Sequence, residues 1–394
     1  MKKLLLLTIV LFGFHTIAQV TLIPDENFEN YLITEGIDSD GTINGQILTS
    51  DVVIVTEVDV SGTNVSDLTG LEDFVNLEVL ECPTCINLDA LNITNNTALR
   101  ILNIPFCSLS SIDISNNKQL EYVDISHNYL TSLDFSNHPA LTTLKCGNPM
   151  KDIEPFNSIH TLNLSGTPNL LQLDTAFMPS LSSIDFSNIP LLEYFHGRYC
   201  GFTTLDFSNN IDLTFLYIGG AENTAFSGYS NNLSELDLSN NSNLKELDVG
   251  FTGISSLNLK NGTNTLLTEM RANLNENLFC IQVDDGTAAH NGDAPYNNWI
   301  VDPQISYSEN CVLGIAENEL KNFSMYPNPA SQQIQIDVPN DLTPKEVKIY
   351  SVEGQLLLQS SFNNTIDIST LASGFYILKA RFDSGSVNKS FVKQ

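Results

Sequence analysis

LEYVDISHNYLTSLDFSNHPA, residues 120–140, carries the pattern that decides the fold. Leu120, Val123, Ile125 and Asn128 follow the spacing LxxLxLxxN, and Leu130, Leu133 and Phe135 repeat it ten residues later. The preceding stretch, LRILNIPFCSLSSIDISNNKQ at 99–119, and LTTLKCGNP from 141 show the same order. Strand alternation turns Leu133 and Phe135 inward and Ser132, Asp134 and Ser136 outward. A unit this short cannot bury its own apolar face, so successive units must stack into a solenoid. About ten coils at the ~4.8 Å interstrand spacing make it roughly 45 Å long.

Each repeat of roughly 21 residues holds two half-units. First-type units begin at Val55, Leu77, Leu99, Leu120, Leu141, Leu170, Leu192, Leu213, Leu244 and Leu267. Second-type units begin at Val65, Leu88, Leu109, Leu130, Ile159, Leu181, Phe202, Leu233 and Ile254. Asn96, Asn117, Asn128, Asn210 and Asn241 fall where the chain turns away from the core. There a side-chain amide can satisfy buried backbone groups of adjacent coils. Over roughly residues 52–275 the pattern resembles the leucine-rich repeat family.

The ends read differently. MKKLLLLTIVLFGFHTIAQ has Lys2 and Lys3, an apolar run from Leu4 to Phe14 and small residues before Gln19, as in a secretory signal peptide cut after Ala18. That route leads to an oxidising compartment. Residues 19–51 form an N-terminal cap, with Phe28, Tyr31 and Leu32 on one helical face. Residues 276–315 resemble the C-terminal cap of secreted bacterial leucine-rich repeat proteins. That resemblance implies a Cys280–Cys311 disulfide closing a loop over the last coil, with Trp299 covering the core.

The other cysteines have places in the repeat. Cys82 and Cys146 stand at inward positions as small hydrophobes, and Cys85, Cys107 and Cys200 stand at the Asn/Cys position. The CPTC stretch at 82–85 lacks the second ligand pair of a zinc site and sits in register, which argues against redox or metal use. A Cys85–Cys107 bridge between stacked coils is an open alternative.

From Ala316 the period gives way to short alternating strands, as in an antiparallel Ig-like β-sandwich. Tyr326-Pro327-Asn328-Pro329, the turn at Gly354, Gly374-Phe375-Tyr376 and the terminal Lys389-Ser390-Phe391-Val392-Lys393 resemble the type A C-terminal sorting domain of the type IX secretion system. The resemblance covers residues 316–394. It implies secretion to the outer surface of a Gram-negative bacterium, with the type IX machinery as partner. The whole is thus a mainly β protein, a solenoid followed by a small sandwich.

The chain has 17 Lys+Arg against 46 Asp+Glu, a net charge of −29. Residues 1–18 carry two of the basic groups, and residues 316–394 carry seven with eight acidic ones. Residues 19–315 therefore hold 8 basic and 38 acidic groups, a net of −30. This field disfavours nucleic acid and anionic membrane surfaces as partners, and after residue 18 no segment is apolar enough to span a bilayer.

Second-type units repeat Ser-Asp-Ser outward, stacking Asp113, Asp134, Asp185, Asp206 and Asp237 into a column. Like charges near 5 Å repel by roughly 1 kcal/mol per pair even in water, and calcium is the cation that such a ladder would take. A segment at Asp38-Ser39-Asp40-Gly41-Thr42-Ile43 echoes a calcium loop, but Gly36 and Ile47 occupy the first and twelfth positions of an EF-hand register. First-type units are varied outward: Tyr122 and Asp124, Thr143 and Lys145, Tyr194, His196 and Arg198, Phe215 and Tyr217, Glu269 and Arg271. Exposed aromatics and Arg on a rigid sheet are recognition anchors, and insertions near 149–158 and 221–232 follow first-type units. Tyr122, Tyr194, His196, Arg198, Phe215 and Tyr217 are the candidate binders of an extracellular protein or glycan. HExxH, GxSxG and GxxxxGK[ST] are all absent, so the expectation is a binding protein without cofactor and not an enzyme. A structural envelope protein and a calcium-dependent adhesin are the alternatives.

Overall fold

A computed structural model describes residues 19–148, 155–220, 230–311, 324–338, 344–351, 355–360, 364–382 and 385–394. The expected signal peptide, Gly354 and most of both insertions lie outside the described residues. The chain divides into two compact units, Met1–Tyr307 and Ser308–Gln394.

The first unit opens with a cap. Strand β1 (Val20–Leu22) pairs antiparallel with β2 (Gln46–Leu48) across helix α1 (Glu26–Thr34), and α2 (Thr49–Val52) follows. Asp25 caps α1, accepting from the backbone N–H of Asn27 and Phe28. Phe28 and Leu32 are fully buried and Tyr31 packs beside them, so the expected face closes the first coil.

The coils follow in chain order: β3 (Glu57–Asp59), β4 (Val79–Glu81), β5 (Ile101–Asn103), β6 (Tyr122–Asp124), β7 (Ser132–Asp134), β8 (Thr143–Lys145) and β9 (Thr161–Asn163). Then come β10 (Gln172–Asp174), β11 (Tyr194–His196), β12 (Phe215–Tyr217), β13 (Glu235–Asp237), β14 (Glu246–Asp248), β15 (Ser256–Asn258) and β16 (Glu269–Arg271). All ten first-type units start two residues before a strand of one parallel ten-stranded sheet, ordered β16-β14-β12-β11-β10-β8-β6-β5-β4-β3. The middle residue of every strand in this ten-stranded sheet, from Val58 to Met270, is buried.

Second-type units do not build a matching sheet. β7 pairs only with β9, and β13 and β15 join β17 (Cys280–Gln282) and β18 (Ser306–Ser308). Asp113 and Asp206 lie outside strands, and Asp185 caps a short 3-10 turn, Phe186–Asn188. Each Asp accepts from the N–H two residues on, a bond that Asp124, Asp174 and Asp248 also make within the ten-stranded sheet.

The predicted asparagines are structural. Asn96, Asn117, Asn128, Asn210 and Asn241 are all fully buried and donate to backbone carbonyls of neighbouring turns. Beyond the coils, Cys280 and Cys311 are disulfide-bonded. Trp299 is buried against Tyr296 and donates Nε1–H to the Leu267 carbonyl at 3.0 Å.

The CPTC reading is corrected. Cys82 and Cys85 form a disulfide, with their Cα atoms 5.8 Å apart. The turn they close holds Thr84 at φ 65°, which brings two neighbouring repeat positions within bridging range. Cys85 is therefore not bridged to Cys107, which is a free thiol whose Sγ contacts the Cys82 carbonyl at 3.3 Å. Cys146 and Cys200 are free and fully buried, as their register requires. Burial pushes the Cys107 and Cys200 thiols up to about 12.

The second unit has two antiparallel sheets. One holds β19 (Ser324–Tyr326), β20 (Gln333–Asp337) and, later in the chain, β23 (Thr365–Asp367); the other is ordered β22 (Leu356–Ser360), β21 (Glu346–Ser351), β24 (Gly374–Phe382), β25 (Gly385–Lys393). Ile334, Ile336 and Ile366 from the first share a core with Val347, Ile349, Leu378 and Phe391 from the second. In the Tyr326-Pro327-Asn328-Pro329 motif, Tyr326 is half exposed, while Asn328 accepts from Val392 N and donates to Ser390 O. These bonds tie the motif to the last strand. Gly374 opens β24, and Tyr376 packs on Phe391 with its hydroxyl on Ala372 O.

Candidate ligand-recognition face

The parallel register places the outward residues of the ten-stranded sheet in two columns. The first runs Tyr122, Thr143, Gln172, Tyr194, Phe215, Glu246; the second runs Asp124, Lys145, Asp174, His196, Tyr217, Asp248, Arg271. Five of the six expected binders meet on and beside β11 and β12. The Tyr194 ring centroid lies 6.3 Å from that of Phe215 and 5.8 Å from that of Tyr217, and His196 meets Tyr217 edge-on at 6.2 Å. The Arg198 guanidinium sits over the Tyr217 ring at 5.5 Å, a cation–π contact.

Acids from neighbouring strands hold this patch. His196 Nδ1 is 3.0 Å from Asp174 Oδ2, Arg198 pairs with Asp248, and Tyr217 donates its hydroxyl proton to Glu246. Arg198 reaches past the intervening coil to Asp248, whose carboxylate lies against Gly219. A Cβ there would stand 2.4 Å from Asp248 Oδ1. Burial, then the bond to Glu246, push the Tyr217 hydroxyl far above its ordinary pKa, so it remains a proton donor. Burial, then Asp174, raise Tyr194.

Tyr122 stands apart, separated from Tyr194 by β8 and β10. It takes a hydrogen bond from Lys145 Nζ at 3.1 Å, and Lys145 lies 3.9 Å from Asp124. Between the two groups is a cavity of about 400 Å³ lined by Pro105, Phe106, Asp124, Ser126, Lys145, Asp174 and Tyr194. Sequence reasoning missed Asp174, Glu246 and Asp248 as supports. Their signal was their register: Asp174 beside His196, Glu246 beside Phe215, and Asp248 between Tyr217 and Arg271. Phe106 lies outside any strand, at φ 56°, stacked on His127 with centroids 4.1 Å apart.

The aspartate column is wired differently. Asp113, Asp134, Asp185, Asp206 and Asp237 each accept from the backbone N–H of Ser115, Ser136, Ser187, Ser208 or Ser239 at 2.9–3.1 Å. Bonds to their serines hold Asp113, Asp134, Asp185 and Asp206 below the usual carboxylate pKa. Among the described residues, no three of these carboxylates converge within 4.8 Å. Only the sulfurs of Cys82, Cys85 and Cys107 do so.

The β-sandwich residues decide the chain's address. Residues 324–394 match the family described as secretion system C-terminal sorting domain. The chain joins a parallel solenoid built on the LxxLxLxxN repeat to this sorting-domain segment. That tail marks a secreted or surface-attached protein. Among the described residues no helix is long and apolar enough to cross a membrane. No curated protein matches the chain. Among solved structures, the functional domain of InlJ from Listeria monocytogenes, which includes a cysteine ladder, is 18% identical. It covers 96% of this chain and 99% of its own, with a TM-score of 0.49. The internalin InlF of the same organism is 16% identical, with 74% and 97% covered and a TM-score of 0.45. A leucine-rich repeat protein of Leptospira interrogans is 12% identical, with 61% and 74% covered and a TM-score of 0.29.

Proposed function

We propose that this secreted leucine-rich repeat protein is a binder, and that the patch of Tyr194, His196, Arg198, Phe215 and Tyr217 recognises an extracellular protein or glycan. The observation that carries this reading is the cluster of three aromatics with His196 and Arg198 on the ten-stranded face, fixed in place by Asp174, Glu246 and Asp248. Side chains held this way lose little entropy on binding, and buried Tyr and Arg anchors carry a disproportionate share of interface energy. Binding rather than catalysis is the activity this arrangement supports, and export by the type IX route delivers it to its partner.

The test is a panel of polysaccharides and bacterial or host surface proteins, applied to the wild type and to Tyr194→Ala/Tyr217→Ala. Anchors of this kind are worth about 2 kcal/mol or more, so the double variant should bind at least ~30-fold more weakly. Tyr217→Phe, which keeps the ring and removes only the bond to Glu246, should bind nearly as well as the wild type. Binding indifferent to the double substitution, or no binder at all, would favour a structural envelope role.

A further inference from the structure

The N-terminal cap carries a second chemical feature, and it does not depend on the recognition reading. Between Gln19 and Arg100 there is no Lys, Arg or His. Within that uncompensated stretch, one loop is wrapped by four carboxylates. Glu29 of α1, itself buried, accepts from the backbone N–H groups of Asn44, Gly45 and Gln46. Asp40 takes Thr42 N and Oγ1 on one oxygen and Asn44 Nδ2 on the other. Asp51, from the first turn of α2, accepts from Ser39 N and Oγ.

Asp38 is the exception. It is 5% exposed, its Oδ1 accepts from Asp40 N at 3.1 Å, and its Oδ2 is buried without any hydrogen-bond partner. Burial, with Asp40 and Glu29 nearby, raises its pKa, and no basic group is at hand to offset the charge. A buried carboxylate oxygen in this state is normally paired or bound to a metal. Gly41 at φ +66° and Gly45 at φ +83° give the loop the backbone freedom to curl around such a centre.

We propose that this loop is a calcium site, with Asp38 Oδ2 and the Asp40 carboxylate as protein ligands. The donors are all oxygen, which selects a hard cation. An irregular loop completed by backbone carbonyls and water suits the flexible six-to-eight coordination of calcium better than the strict octahedron of magnesium. Counted from Asp40 rather than Gly36, the loop follows an EF-hand register with Asn44 fifth, Gly45 sixth and Asp51 twelfth, and Asp38 lies two residues ahead of it. The site differs from the aspartate column, where every carboxylate has its own serine.

Thermal melts of the whole mature protein test this, with calcium chloride as the only probe. Extracellular calcium modules bind at roughly 0.1–1 mM, so 10 mM calcium against EDTA should raise the wild-type melting temperature by roughly 3–8 °C. Asp38→Asn should abolish the shift, and in EDTA it should melt no lower than the wild type because it removes an unpaired buried charge. Asp134→Asn and Asp206→Asn should keep the shift. A wild type indifferent to calcium overturns the proposal, as does a calcium shift that survives Asp38→Asn. An Asp38→Asn variant that melts lower in EDTA as well as in calcium would make Asp38 a structural residue and overturn it equally.

Discussion

Buried asparagines carry the turns of the solenoid in two columns that are wired differently. In one, Asn128, Asn157, Asn231 and Asn275 donate to two or more carbonyls, and Oδ1 of each accepts a backbone N–H. In the other, Asn96, Asn117, Asn210 and Asn241 also donate twice, but Oδ1 is buried and unpaired. Removing a first-column amide strands a buried N–H as well as carbonyls, while removing a second-column amide also relieves an orphaned oxygen. Asn157→Ala should therefore cost about 3 kcal/mol in urea unfolding, and Asn117→Ala about 1–2 kcal/mol. Equal losses would show that the unpaired oxygens are satisfied by water. The sequence pattern located Asn117 and Asn128 but not this difference, and it passed over Asn157 and Asn231, which sit at the far ends of the insertions. It also explained each cysteine of CPTC singly, so the bond between Cys82 and Cys85 went unread.

At the scale of elements, the recognition face depends on close approach between coils. Asp248, the partner of Arg198, rests its carboxylate against Gly219, where a Cβ would collide with it. Gly219→Ala should destabilise the protein by about 1–3 kcal/mol by displacing the Asp248 carboxylate. The cost should shrink when Arg198→Ala is already present, giving a coupling of at least about 0.5 kcal/mol in a double-mutant cycle. Additive losses would mean that the glycine acts through the backbone alone. The ten strands were legible because an apolar middle residue recurs at a fixed spacing. Second-type segments share the apolar middle residue but form only the short sheets of β7 with β9 and of β13, β15, β17 and β18.

At the scale of the whole molecule, the two units have separate cores: one runs from Ile23 to Trp299, the other from Ala330 to Phe391. A chain ending at Cys311, which keeps the Cys280–Cys311 bond, should melt within about 2 °C of the full-length protein. In its native host it should fail to reach the medium or the cell surface. A large drop in melting temperature would show that the sandwich supports the solenoid. Unusual acidity is confined to the repeats and caps, so stability should also rise with salt as repulsion is screened.

What the sequence determined alone is whatever repeats or is local: the solenoid, its ten-strand register, the cap helix and the sorting domain, each written in a short-range pattern of apolar and turn residues. What only the tertiary structure decided lies between coils and across loops. The Cys82–Cys85 bond, the acids that hold Arg198, His196 and Tyr217, and the unpaired Asp38 oxygen depend on which atoms end up within a few ångströms after the chain has wound. A linear pattern with a period near 21 residues records which residues share a face. It does not record how their side chains reach one another across it.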